Sequence, residues 1–278
     1  MNDPDEPIWV RRALPKAIGR IGTVAASRAL LEGLEGGEDS FHRRKLVESF
    51  ASVKDSRVLW SDSAPRIRQQ ITFETKQYLG SLAALESLGL KTKGRVVGGT
   101  ITWDGDEIPT LLDQLLEERA ADSLRNLFGL LALLYGGDQM WPAYSSLTSG
   151  NRLLQAQALE FLDNTLESQI KQDILAVIDD CPFAEKLARG AREYGIRVPP
   201  KTEMLDILLQ PGGEPESDIA ALTAAALYAV HQDRVPGLET RIQQVAAHAV
   251  DPFVEETATW IMGRLEISPA PGSATEPA

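Results

Sequence analysis

Apolar residues recur along this chain at the spacing of a single helical face. Leu238, Ile242, Val245 and Ala249 step by four, three and four positions, and Ile170, Ile174 and Ile178 form a second row. A third runs through Ile67, Ile71, Tyr78, Leu82 and Leu85, over a stretch with few breakers before Gly89. From Ile108 to Tyr135 the only breakers are Pro109, beside the start, and Gly129. Within it the pairs Leu111/Leu112, Leu115/Leu116, Leu127/Phe128 and Leu130/Leu131 predict one long helix or two joined end to end.

Turn chemistry punctuates this period at Gly36-Gly37, Asp62-Ser63-Ala64-Pro65, Gly136-Gly137, Ser149-Gly150, Pro199-Pro200, Pro211-Gly212-Gly213 and Val235-Pro236-Gly237. The intervals predict helices of roughly 10–28 residues with short connections, as antiparallel neighbours require. Only Arg95 to Trp103 reads as strand: β-branched residues flank Gly98-Gly99 and predict a small hairpin or extended loop. The expected division is a helical part over residues 1–92, an insertion at 93–107 and a second helical part over 108–267. The last residues, 268–278, are Pro, Gly, Ser, Ala, Thr and Glu and read as a disordered tail.

Internal repetition narrows the class. Val10 to Ile21 (VRRALPKAIGRI) aligns beneath Val254 to Leu265 (VEETATWIMGRL). Val, Gly and Arg coincide at 10/254, 19/263 and 20/264, and Ile18/Met262 and Ile21/Leu265 match in type. Each segment follows an acid-Pro pair, Glu6-Pro7 or Asp251-Pro252, which is a helix-starting signal. A degraded third copy runs from Leu154 to Thr165, with Leu162 in the place of Ile18. Repeated two-helix units predict an all-α fold, an α-solenoid in which each pair hides its apolar face only by stacking on its neighbours.

The acid-Pro-x-Val-Arg start, the small residues, the Gly-Arg-Ile close and the internal Pro15 resemble the first helix of a HEAT repeat, most specifically at Pro7 to Leu34 and Asp251 to Leu265. A narrower resemblance covers Asn126 to Asp180 and the long stretch Ile67 to Leu88. With its run Leu159-Glu160-Phe161-Leu162-Asp163-Asn164, this part is similar to the HEAT region fused behind nucleotide (ATP/ADP)-transporter-like membrane domains in bacteria. Such proteins sometimes carry a cyclic-nucleotide-binding domain as well. This chain has no apolar run of spanning length and no sign of a cyclic-nucleotide pocket, so transport does not carry over.

Charge changes the picture of partners rather than of fold. The net charge is -12, yet residues 1–100 hold 16 Lys/Arg against 12 Asp/Glu, so the acidity lies beyond them. An acidic whole argues against nucleic acid as a partner. A single cysteine, Cys181, and a start without a secretory pattern lead to the expectation of a cytoplasmic location.

Few residues offer chemistry. His42, His231 and His248 lack companions at metal-ligand spacing and read as surface or helix-end residues. Asp104-Gly105-Asp106-Glu107 reads as a capping turn, not a calcium loop, and Gly94 to Gly99 lacks a phosphate-cradle pattern. Acidic neighbours of Cys181 disfavour its thiolate. The carboxylates read as lying on solvated helix faces, with Asp163 and Asn164 the one polar oddity, explained by bonds to nearby backbone or a polar rung between repeats. Of the tryptophans, Trp9, Trp141 and Trp260 read as packing residues, while Trp60 and Trp103 fall in expected loops as exposed anchors. The basic set Arg43, Arg44, Lys45, Arg57, Arg66 and Arg68 surrounds one helix–loop–helix connection. It is either a solvated rim or a contact for an acidic partner or anionic headgroups.

These readings imply a non-catalytic, cofactor-free HEAT-type scaffold for a protein partner. Association with a membrane surface or membrane protein stays open. The alternatives are a detached cytosolic regulatory module of a nucleotide-transporter-like or cyclic-nucleotide-sensing membrane system, and an enzyme of the HEAT-like lyase or DNA glycosylase kind. Because the first helix, Ile8 to Ile21, resembles an internal repeat, its outer side is expected to be covered by a partner, a second copy or upstream sequence.

Overall fold

A computed structural model describes residues 6–34, 40–51, 60–89, 95–102, 109–211 and 217–268. Among them it forms thirteen helices and three short strands. The order is α1 (Ile8–Ile21), α2 (Val24–Leu34), α3 (Ser40–Ala51), α4 (Trp60–Ser87), β1 (Arg95–Val97), β2 (Thr100–Thr102), α5 (Leu111–Tyr135), α6 (Gly137–Thr148), α7 (Arg152–Thr165) and α8 (Ser168–Ile178). Then come β3 (Cys181–Pro182), α9 (Phe183–Tyr194), α10 (Lys201–Leu208), α11 (Asp218–Asp233), α12 (Glu239–His248) and α13 (Pro252–Arg264). The fold is predominantly helical. No helix among the described residues is long and apolar enough to cross a membrane.

Two compact units emerge. The first comprises Met1–Glu86, Lys91–Glu107 and Glu117–Val198; the second comprises Ser87–Leu90, Ile108–Leu116 and Pro199–Ala278. In the first, α1, α2 and α3 pack on one another around Leu30, Leu46 and Phe50, while α6 packs on α7 and α8 on α9. The apolar rows of α4, α5 and α8 are its core: Ile71, Tyr78, Leu82, Leu127, Phe128, Ile170 and Ile174 are all buried. Burying each such side chain stabilises the fold by about 1.5–3 kcal/mol before the entropy of ordering is counted.

Glycine chemistry sets the hairpin. Val97 pairs with Thr100 across a two-residue turn in which Gly98 and Gly99 have φ of 58° and 80°, the left-handed pair that a type I′ turn needs. A side chain at Gly98 would overlap the backbone carbonyl of Leu147 on α6, and one at Gly99 would meet the Leu124 methyls on α5. The Tyr78 hydroxyl fixes the turn from α4 by donating to the Gly99 carbonyl at 2.8 Å. Strand β3 adds antiparallel to the other edge of β1, Val96 facing Cys181.

The second unit packs α10 on α11, α11 on α13 and α12 on α13 around Leu205, Leu227, Val230, Ile242, Val245, Ala258 and Ile261. Its helix starts are capped by side chains. Ser217 Oγ accepts from the Ala220 amide, and Asp251 Oδ1 accepts from the amides of Phe253 and Val254, with Pro252 at the first helical position. Asp251→Ala is expected to destabilise this unit by about 1 kcal/mol, with Asp251→Asn recovering most of the loss. Urea titration followed by helical circular dichroism checks it.

Two local expectations need correction. The Asp62-Ser63-Ala64-Pro65 break and the loop containing Trp60 are helix: α4 begins at Trp60 and runs through Pro65. Proline there removes only the bond to the Ser61 carbonyl, near a helix end where little is lost. The second is that the aligned segments, though all helices, bury different registers: Val254, Ala258 and Ile261 in α13, Pro15 and Gly19 in α1, and Gln155, Ala158 and Leu162 in α7. The matched Gly19 and Gly263 are buried and exposed respectively. The Glu6-Pro7 start signal does open a helix: Pro7 is the N-cap of α1 and its carbonyl accepts from the Val10 and Arg11 amides.

Candidate functional site

The basic set is largely spent on internal contacts. Arg43 on α3 is 1% exposed, so it is no surface contact; its Nε donates to Glu74 Oε1 of α4 at 2.8 Å. Asn126 on α5 donates Nδ2 to the same oxygen at 3.1 Å, making a buried three-helix knot. Arg44 pairs with Asp122 at 2.8 Å, Lys45 with Glu48 at 3.2 Å, and Arg68 with Glu167 at 3.0 Å. Arg66 is half-buried and also engaged. Trp60 is the first residue of α4, and Arg57, Trp103 and the Asp104–Glu107 turn lie outside the described residues. Three cations, Arg12, Arg44 and Lys45, stand 4.6–5.1 Å from the centre of the Phe41 ring, so aromatic contact holds part of this surface together.

Carboxylates are not confined to solvated faces. Besides Glu74, Asp173 on α8 is buried and accepts from the Thr72 hydroxyl at 2.7 Å and the Tyr194 hydroxyl at 2.8 Å. Burial, together with the donation to Asp173, pushes the Tyr194 phenol well up. Asp163 and Asn164, by contrast, are exposed; Asp163 pairs with Lys171 at 3.0 Å and forms no buried rung. The Cys181 thiol is half-exposed and burial raises its pKa. Nearby, Lys186 on α9 is buried and donates Nζ to the Ala176 and Val177 carbonyls at 3.3 and 2.6 Å, capping the end of α8. Burial lowers its pKa to about 8. These groups have partners that account for their placement.

The second unit holds charges that do not. Its only lysines and arginines are Lys201, Arg234, Arg241 and Arg264. Lys201 pairs with Asp233 at 2.7 Å, and Arg241 with Asp206 at 2.8 Å; the latter bond holds the Asp206 carboxyl below its ordinary range. Arg234 and Arg264 make no ion pair among the described residues, and both line one cleft of about 390 Å³. His231, Val235, Ile242 and Ile267 contribute to its walls, together with Glu239 and Glu266.

The backbone around this cleft is unusual. Helices α11 and α13 both end in left-handed turns closed by six-to-one bonds, Val235 N to Val230 O at 3.1 Å and Ile267 N to Met262 O at 2.9 Å. Glycine normally occupies the left-handed position, yet here it is Arg234 (φ 49°) and Glu266 (φ 56°). Each departure costs about 1–2 kcal/mol against glycine, and among the described residues these are the only two non-glycine positions with positive φ. Both face one cleft.

An aromatic row lies beside it. Trp260 packs edge-on against His231 with centroids 5.2 Å apart, and Arg264 lies 5.1 Å from the Trp260 ring centre. Tyr228 lies one turn before His231 on α11, and Phe253 two turns before Trp260 on α13, so helical geometry brings them to the same side. Tyr228, Phe253 and Trp260 are 52%, 66% and 45% exposed. Trp260 and Trp9 are thus surface residues rather than packing residues, and His42 is buried rather than at the surface. No family model, curated protein or solved structure matches the chain.

Proposed function

We propose that this chain is a helical-repeat binding module of HEAT-like organisation, whose second unit holds a segment of another protein. The observation that carries the reading is the exposed row Tyr228, Trp260 and Phe253 edged by Arg264. Aromatic side chains left in water are costly, and tryptophan, tyrosine and arginine are the residues that dominate protein contacts when covered. The helical context supports it: α6 packs on α7, α8 on α9 and α12 on α13, and α11 packs on α13 across the intervening α12, as the units of a helical repeat do.

A photo-crosslinking amino acid at position 253 is expected to capture one discrete polypeptide in cells, and Trp260→Ala should remove that adduct. The same probe at exposed Arg192, in the other unit, should give none. Equal capture at both positions, or an adduct indifferent to Trp260→Ala, defeats the reading.

A further inference from the structure

Beyond the aromatic row, we propose that the cleft lined by Arg234, Arg264 and His231 binds a small ligand bearing an oxyanion, a carboxylate or a phosphate. In a unit crowded with carboxylates, Lys201 and Arg241 form ion pairs, while Arg234 and Arg264 line one concave site beside Glu239 and Glu266 without an ion pair to either. An oxyanion seated between them would fill the planar donor forks bidentately.

The cleft lies at the C-termini of α11 and α13, whose free carbonyls repel an anion. The terminal turns reduce that opposition: His231 O and Val230 O accept from Arg234 N and Val235 N, while Ile261 O and Met262 O accept from Leu265 N and Ile267 N. Of the two acidic residues in the lining, Glu239 has one oxygen engaged by the Gly237 amide at 3.2 Å. The remaining walls, Val235, Ile242, Leu265 and Ile267, suit the apolar body of a ligand, and about 390 Å³ is the size of a small-molecule site. His231 also lines the cleft, and its Nδ1 is buried without a hydrogen-bond partner. This site shares Arg264 with the aromatic row, but Phe253, the crosslinking position of the partner-binding test, does not line it, so the two tests fail independently.

Trp260 supplies the readout, since it touches both His231 and Arg264. Inorganic phosphate and succinate are titrated separately, at constant ionic strength, while tryptophan emission is followed; Trp260→Phe identifies the responding ring. A saturable change with either anion, weakened at least tenfold in the Arg234→Gln/Arg264→Gln double variant and unchanged in Lys201→Gln, supports the site, and the responding anion names the ligand class. Both arginines are exposed, so the variants are expected to fold, and circular dichroism checks this. No saturable response to either anion, or a response that survives the double substitution, overturns the proposal.

Discussion

Arg43→Ala is expected to destabilise the first unit by about 3–5 kcal/mol, the cost of breaking a buried ion pair by removing one partner. Glu74 is 2% exposed, and its Oε2 already has no partner; after the substitution the carboxylate keeps only the amide of Asn126. Arg43 also stands 5.3 Å from the centre of the Phe73 ring, so that contact goes with it. Water cannot replace the guanidinium at a site sealed by α3, α4 and α5 without opening their packing. The triple substitution Arg43→Met, Glu74→Leu and Asn126→Leu removes every polar member together and should recover most of the loss. A chain with two compact units does not guarantee a single unfolding transition, so amide exchange within α4 is the measurement of choice. A loss below about 1 kcal/mol would show that the knot is hydrated or loosely held.

That knot was written in the sequence at positions read only for their apolar neighbours. Ile71, Glu74, Tyr78 and Leu82 step by three, four and four, which places Glu74 inside the buried stripe of α4. Ile170, Asp173 and Val177 do the same on α8, and Arg43, Leu46 and Phe50 on α3. A charge inside an apolar row announces a buried partner on another helix, but which helix supplies it is a tertiary fact that periodicity cannot carry. Helices themselves were legible because burial has a period: Ile170, Ile174 and Ile178 are all buried, and Gly136 alone separates α5 from α6. Break signals were less reliable, since the Asp62–Pro65 signal lies inside a helix, near its first turn. The two-residue strand β3 has no local pattern at all; it exists because β1 offers an edge.

The cleft of the second unit was invisible for another reason. Its members come from the ends of α11 and α13 and from α12, and nothing in their spacing links Arg234 to Arg264. One cue was available: Pro-Gly and helix-stop signals follow both segments, yet the left-handed positions hold Arg and Glu rather than Gly. That conflict between local preference and residue choice is visible only once the helix ends are known.

Stability of the first unit should rise by about 1 kcal/mol as the pH is taken from 8 to 9, through Lys186. Its folded pKa is lowered to about 8 from an ordinary 10.5, so in this window the unfolded chain binds a proton there that the folded chain has begun to release. Protons held by the unfolded state make stability increase with pH. The cause is burial: the ammonium lies among apolar neighbours with two helix-end carbonyls for company, and a neutral amine is better tolerated there. Over the whole interval to pH 10.5 the change would reach about 3 kcal/mol, but three groups oppose it. Cys181, Tyr78 and Tyr194 have raised pKa values, so above pH 9 for the thiol and above pH 10 for the phenols it is the folded state that retains protons. Measurement in a Cys181→Ala background, kept below pH 9.5, isolates the lysine. Lys186→Met in that background should flatten the pH dependence while lowering stability at pH 9, because the carbonyls of Ala176 and Val177 lose their donor. A rise with pH that persists in Lys186→Met would assign it to another group, and a flat profile in the lysine form would mean that the ammonium reaches water.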